Sequence, residues 1–195
     1  MLDDLEKIDN YETRIWGVYK TLCPRSYERR VCMDKIIDVA AYIVAKYKEM
    51  THETLDEMKL HKLLYFTQRE SFAILGKPAF EGDFEGWKYG PVSREVRQDY
   101  EQGEFLVETK KISDDIKYIV NNVLLEYGAL ASWKLSDLSH REISWLNSRA
   151  GLKDGENRSD IIQLADIQKD SEKVRPYDHV WDMYYDEFED LDTVE

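Results

Sequence analysis

The sequence predicts a mainly α fold: a compact multi-helix single domain with a short extended segment around residues 79–90 and a second over 105–112. Three observations predict it. Apolar residues recur at three-and-four spacing in several separate stretches. Gly and Pro stand between those stretches rather than inside them. The aromatic run from Ala79 to Tyr89 carries Gly82 and Gly86, the punctuation of a small strand pair.

Residues 1–32 read as an N-terminal extension in which Leu5, Ile8, Ile15, Trp16 and Tyr19 suggest a short helix and Pro24 a break; the segment is too short for a core of its own. The main domain, 33–169, opens with Ile36, Val39, Ala40, Ile43, Val44 and Tyr47, the cleanest helical periodicity in the chain. Thr54 and Glu57 are spaced as a capping box, so a second helix should start near Leu55 and run to Gly76, with Pro78 preventing a restart. Leu60, Leu63, Leu64, Thr67, Ser71, Ile74 and Leu75 form its buried stripe. A second face, His61, Tyr65, Gln68 and Phe72, is mixed, and is neither a plain charged face nor a plain core.

The extended stretch closes at Tyr89. Gly90 allows a backbone conformation that a side chain would forbid, and Pro91 suits the first position of a helix ending near Gly103. Alternation over 105–112 suggests a short strand. Ser113, with Asp114 and Asp115 behind it, heads a helix that buries Ile116, Ile119, Val120, Val123, Leu124 and Tyr127 and stops at Gly128. A short helix over Ser132–Leu138 follows. Ser139 and Glu142 are spaced as a second capping box, in which Glu142 accepts the Ser139 amide, at the head of a helix through Trp145 and Leu146 to Gly151. After a polar loop over 153–157, a last helix is expected over Ser159–Gln168, carrying Ile161, Ile162, Leu164 and Ala165. The tail, 170–195, is acidic with Tyr177, Trp181, Tyr184, Tyr185 and Phe188 interspersed, the composition of a segment that orders on a partner.

At 195 residues and 43% hydrophobic content the chain supports one ordinary core. No apolar run reaches the ~20 residues that span a bilayer and no signal peptide heads the chain, so the expected location is cytoplasmic and no membrane partner is expected. Cys23 and Cys32 are too few for a disulfide framework and read as free thiols. A net charge of -13 repels phosphate backbones; with only Lys20, Arg25, Arg29 and Arg30 as a local basic group, general nucleic-acid binding is not expected, and a basic partner suits the surface better.

The four histidines have no metal spacing, and there is no phosphate loop, nucleophile elbow or dinucleotide fingerprint. His140 beside Glu142 is the one pair that invites a catalytic reading, but the capping box already occupies Glu142. No enzyme activity, catalytic residue, metal or cofactor is therefore expected.

Three landmarks remain: KLHKLLYF from Lys59, the turn GWKYGPV from Gly86, and LSHREISW from Leu138 to Trp145. Together and in this order they resemble the Panacea domain, also called the SocA-like or GepA-like antitoxin domain. Ser144 departs from the pattern, standing where the family has Pro before the Trp. The resemblance implies an antitoxin of a toxin–antitoxin system that neutralises a cognate toxin by protein contact. The toxins faced by that family include small alarmone synthetases and other translation- or nucleotide-directed poisons. Two alternatives stand beside it: an adaptor that delivers the toxin to an ATP-dependent protease, and a phage or plasmid accessory protein that antagonises a host DNA-binding enzyme. The expected partner surface combines His61, Tyr65, Gln68 and Phe72 with Trp87 and Tyr89 of the turn and Trp181, Tyr184 and Tyr185 of the tail, since aromatics on a polar rim concentrate binding energy. Lys59, Gly90, Pro91, His140, Glu142 and Trp145 are the motif residues expected to hold the structure.

Overall fold

The computed structural model describes residues 33–102, 112–152 and 160–174. The expectations for residues 1–32, for most of 105–112, and for Trp181, Tyr184 and Tyr185 of the tail lie outside the described residues. Among the described residues, seven helices and four very short strands form a mainly α fold. In order they are β1 (Asp34–Lys35), α1 (Ile36–Thr51), α2 (Glu57–Leu75), β2 (Phe80–Glu81), β3 (Glu85–Trp87), β4 (Gly90–Val92), α3 (Arg94–Gln102), α4 (Asp114–Tyr127), α5 (Ser132–Ser139), α6 (Ile143–Ser148) and α7 (Leu164–Ser171). β1 pairs in parallel with β2, and β3 pairs antiparallel with β4, placing Trp87 opposite Gly90.

Helix α2 is the axis of the molecule. α1, α3, α4, α5, α7 and the hairpin strand β4 all pack on it, and every residue from Lys59 to Ser71 is buried. The leucine stripe takes its expected place in the core with Ile36, Val39, Ile43, Ile119, Val120 and Val123. The mixed face is not a surface: Tyr65 and Gln68 are enclosed on all sides, because helices pack around the whole circumference and supply a partner for the polar atoms that the sequence leaves looking exposed. Gln68 Oε1 accepts the Ala79 amide at 2.9 Å, and Ser71 Oγ donates to the Lys77 carbonyl at 2.9 Å, so this face pins the chain as it returns from α2. Phe72 is partly buried against the core.

Gly76, at φ 65°, ends α2 as its position predicts. The start differs. Asp56, not Thr54, is the cap, its carboxylate accepting the Lys59 amide at 2.9 Å while its other oxygen receives the Ser132 hydroxyl at 2.6 Å. Pro91 lies in β4 rather than in a helix, and α3 begins at Arg94, where the Arg97 amide reaches the Ser93 carbonyl at 3.1 Å. Helix α7 begins at Leu164, later than the sequence suggested, because Ile161 bridges to Glu85 and the Ile162 amide bonds to the Phe84 carbonyl at 2.8 Å, committing both residues to the edge of β3. No helix among the described residues is long and apolar enough to cross a membrane.

Candidate functional site

The two-residue loop Lys88–Tyr89 turns the hairpin, and the groups around it explain the motif residues. The Ser136 hydroxyl donates to the Tyr89 carbonyl at 2.7 Å and the Trp145 indole N–H to the Trp87 carbonyl at 2.9 Å. Arg149 reaches the Gly86 carbonyl at 3.0 Å, and Lys62 Nζ the Pro91 carbonyl at 3.1 Å. Gly90 has φ +103°, and a Cβ there would sit 2.5 Å from Ser139 Oγ and 2.6 Å from Lys62 Cε, so both conformation and space require glycine. His140 stacks on Trp145 with ring centroids 4.1 Å apart, bracing the side chain that holds the hairpin. Burial, then the charge of Lys62, keeps its imidazole below its ordinary pKa.

Glu142 corrects its expectation. It does not cap against Ser139, whose hydroxyl turns back to the Ser136 carbonyl at 2.8 Å. Its carboxylate is gripped by the Arg69 guanidinium, which also binds Glu70 at 2.8 Å and the Tyr127 hydroxyl at 2.9 Å. The cap of α6 comes from another element: the Asp170 carboxylate accepts the amides of Ile143 at 2.8 Å and Ser144 at 2.9 Å, and the Tyr65 hydroxyl at 3.2 Å. Ser144 also shares a 2.8 Å hydrogen bond with Tyr65. The family's Pro would supply neither the amide nor the hydroxyl, so the departure at Ser144 is matched by its surroundings. Burial opposes the charge of Asp170, but these donors hold its pKa below the usual carboxylate value, whereas burial raises that of Glu142 against the pull of Arg69. Lys59, the remaining motif residue, ties α2 to the end of α4 through the Gly128 carbonyl at 3.0 Å and lies near the Tyr47 hydroxyl at 3.2 Å.

Between α2, the hairpin and α3 lies a cleft of about 340 Å³. α2 contributes Glu57, Met58, His61 and Lys62; the hairpin contributes Trp87, Lys88, Tyr89 and Val92; Arg97 comes from α3. Three residues expected on the partner surface, His61, Trp87 and Tyr89, thus meet, while Tyr65, Gln68 and Phe72 do not line the cleft. Tyr89 is 57% exposed at its mouth. Trp87 is half-buried, its indole N–H bonded to Glu85 at 2.8 Å and Arg97 lying 5.1 Å over its ring.

His61 and Lys62 are the floor, only 2% and 1% exposed. His61 Nδ1 faces the Ser93 amide at 3.4 Å, and Nε2 has no hydrogen-bond partner, with Glu57 Oε1 at 3.5 Å. Burial, then the charges of Lys62 and Arg97, lowers the His61 pKa to about 3, so the imidazole is neutral. Burial also lowers Lys62 to about 7 against the opposing pull of Asp56 and Glu57. The sequence reading passed over Lys62, Met58 and Arg97. The available signal was Lys62 itself, a lysine embedded in a run whose neighbours Leu63 and Leu64 are core. Among the described residues no group of three His, Cys, Asp or Glu side chains is arranged to hold a metal.

Residues 60–146, from the first turn of α2 to α6, match the family model described as Antitoxin SocA-like, Panacea domain. Antitoxin SocA of Caulobacter vibrioides (strain NA1000 / CB15N) is similar at 25% identity over 134 residues, covering 60% of this chain and 67% of that protein. No solved structure matches.

Proposed function

We propose that this chain, whose residues 60–146 form a Panacea domain of the SocA-like antitoxin family, neutralises a cognate protein toxin by seating it over the hairpin and the cleft beneath it. The observation that carries this reading is the exposed Tyr89, displayed beside Trp87 on a loop whose backbone is tied down by α5 and α6. A rigid aromatic at a polar rim loses little entropy on binding, and such residues dominate association energies.

The test is co-expression with the product of the neighbouring reading frame, followed by affinity measurement. Tyr89→Ala should weaken the complex about tenfold or more while leaving the thermal midpoint within a degree or two of the parent, because the exposed ring leaves no cavity. Unchanged affinity would remove the hairpin from the interface. Relief of growth arrest that requires an ATP-dependent protease would replace blocking with delivery for degradation.

A further inference from the structure

We infer that the cleft recognises a carboxylate: an Asp or Glu side chain of the toxin enters between Trp87 and Tyr89 and is received by Lys62 Nζ and His61 Nε2. This rests on the reading that the toxin docks at the hairpin, and it reverses the expectation of a basic partner at this spot. The chain carries a net charge of -13, yet the cleft gathers Lys62, Lys88 and Arg97 against the single acid Glu57. Arg97 is engaged by Glu101 at 3.1 Å and Glu57 at 3.6 Å. Lys62 is different, since its ammonium is almost fully buried and donates one hydrogen bond, to the Pro91 carbonyl. His61 Nε2, equally buried, has no hydrogen-bond acceptor. A buried donor without an acceptor is costly, and the floor of this open cleft holds one, His61 Nε2 with Glu57 Oε1 no nearer than 3.5 Å, beside an ammonium that spends one of its three donors on Pro91. Two donors match the two oxygens of one carboxylate; a phosphate would call for more amide or guanidinium donors than the floor supplies. Met58 and Val92 supply apolar lining for the side chain's stem.

Lys62 gives the inference a readout that a merely structural role would not move. Its neighbours are Asp56 at the cap of α2, Glu57 and His61 on α2, Lys88 on the hairpin, Arg97 on α3 and His140 after α5. Against that background an entering carboxylate favours the charged ammonium, so binding takes up a proton above neutral pH.

The probe is benzoate, titrated into the full-length protein and followed by amide NMR, with benzamide as its uncharged isostere. Benzoate should move the His61, Lys62 and Val92 amides, bind about tenfold more tightly than benzamide, and weaken about tenfold between pH ~6 and ~8.5. Equal affinity for the two probes, or no loss at the higher pH, overturns the inference. Lys62→Met keeps the aliphatic stem and should abolish the preference for benzoate; if it does not fold, the pH comparison on the parent protein decides alone. Toxin binding should expel benzoate. A complex that forms with benzoate still seated refutes the toxin carboxylate while leaving docking at Tyr89 intact. Tighter benzoate binding when Asp186, Glu187, Glu189 and Asp190 are changed to their amides would assign the cleft to the chain's own tail and equally refute it.

Discussion

At the scale of single residues, the polar side chains inside the fold carry the sharpest consequences. Asp170 alone satisfies two amides at the head of α6 and the Tyr65 hydroxyl. Asp170→Ala should therefore destabilise the protein by roughly 2 kcal/mol or more, read from the urea midpoint, since α6 loses its cap and the buried Tyr65 hydroxyl keeps only Ser144 as a partner. Asp170→Asn, which keeps one acceptor, should lose less. His61 sets the acid limb of stability. Its folded pKa of about 3 lies below the unfolded value of 6.5, so between those values the unfolded chain takes up a proton that the folded chain refuses. The His61 contribution should shrink steadily as pH drops from 6.5 toward 3 and stay constant below, where Asp170 takes over the loss, and His61→Leu should flatten the slope above pH 3 in acid denaturation curves. None of this pairing could be read from the sequence: Glu142 three residues after Ser139 has the spacing of a box, and only the approach of Arg69 from α2 decides otherwise.

At the scale of elements, the hairpin is a part built for rigidity. Gly90→Ala puts a Cβ against Ser139 and Lys62 at a φ that L residues rarely adopt. It should destabilise the protein by about 1–3 kcal/mol and shift the emission of Trp87, checked by thermal melts and fluorescence together. The helices themselves were legible because periodicity is local: Ile36 to Tyr47 and Ile116 to Leu124 bury the faces their spacing announces. Their ends were less legible. The stop at Gly76 needs only glycine, whereas the heads of α2 and α6 are fixed by Asp56, held by Ser132, and by Asp170, twenty-six residues beyond Ser144. The cleft was half legible, with His61 named by its helical spacing and Trp87 and Tyr89 by the aromatic turn, and Lys62 and Arg97 hidden until α2 and α3 were placed side by side.

At the scale of the whole molecule, one helix organises everything. Reading α2 as two-faced followed from His61, Tyr65 and Gln68, polar residues that in an isolated helix would face water. It failed because five other helices close around that axis and supply a counterpart for most of those polar groups. A cationic cleft on a chain of net charge -13 should make association with a partner salt-dependent. Complex formation should slow when Lys88→Glu reverses the charge beside Tyr89, most clearly at low ionic strength in stopped-flow traces. The cap that Asp170 lends to α6 has a consequence during synthesis. α2, the hairpin and α6 are all made before Asp170, and until α7 is added the first amides of α6 lack that acceptor. A chain that stops short of Asp170 should therefore be cut faster than the whole one in limited proteolysis.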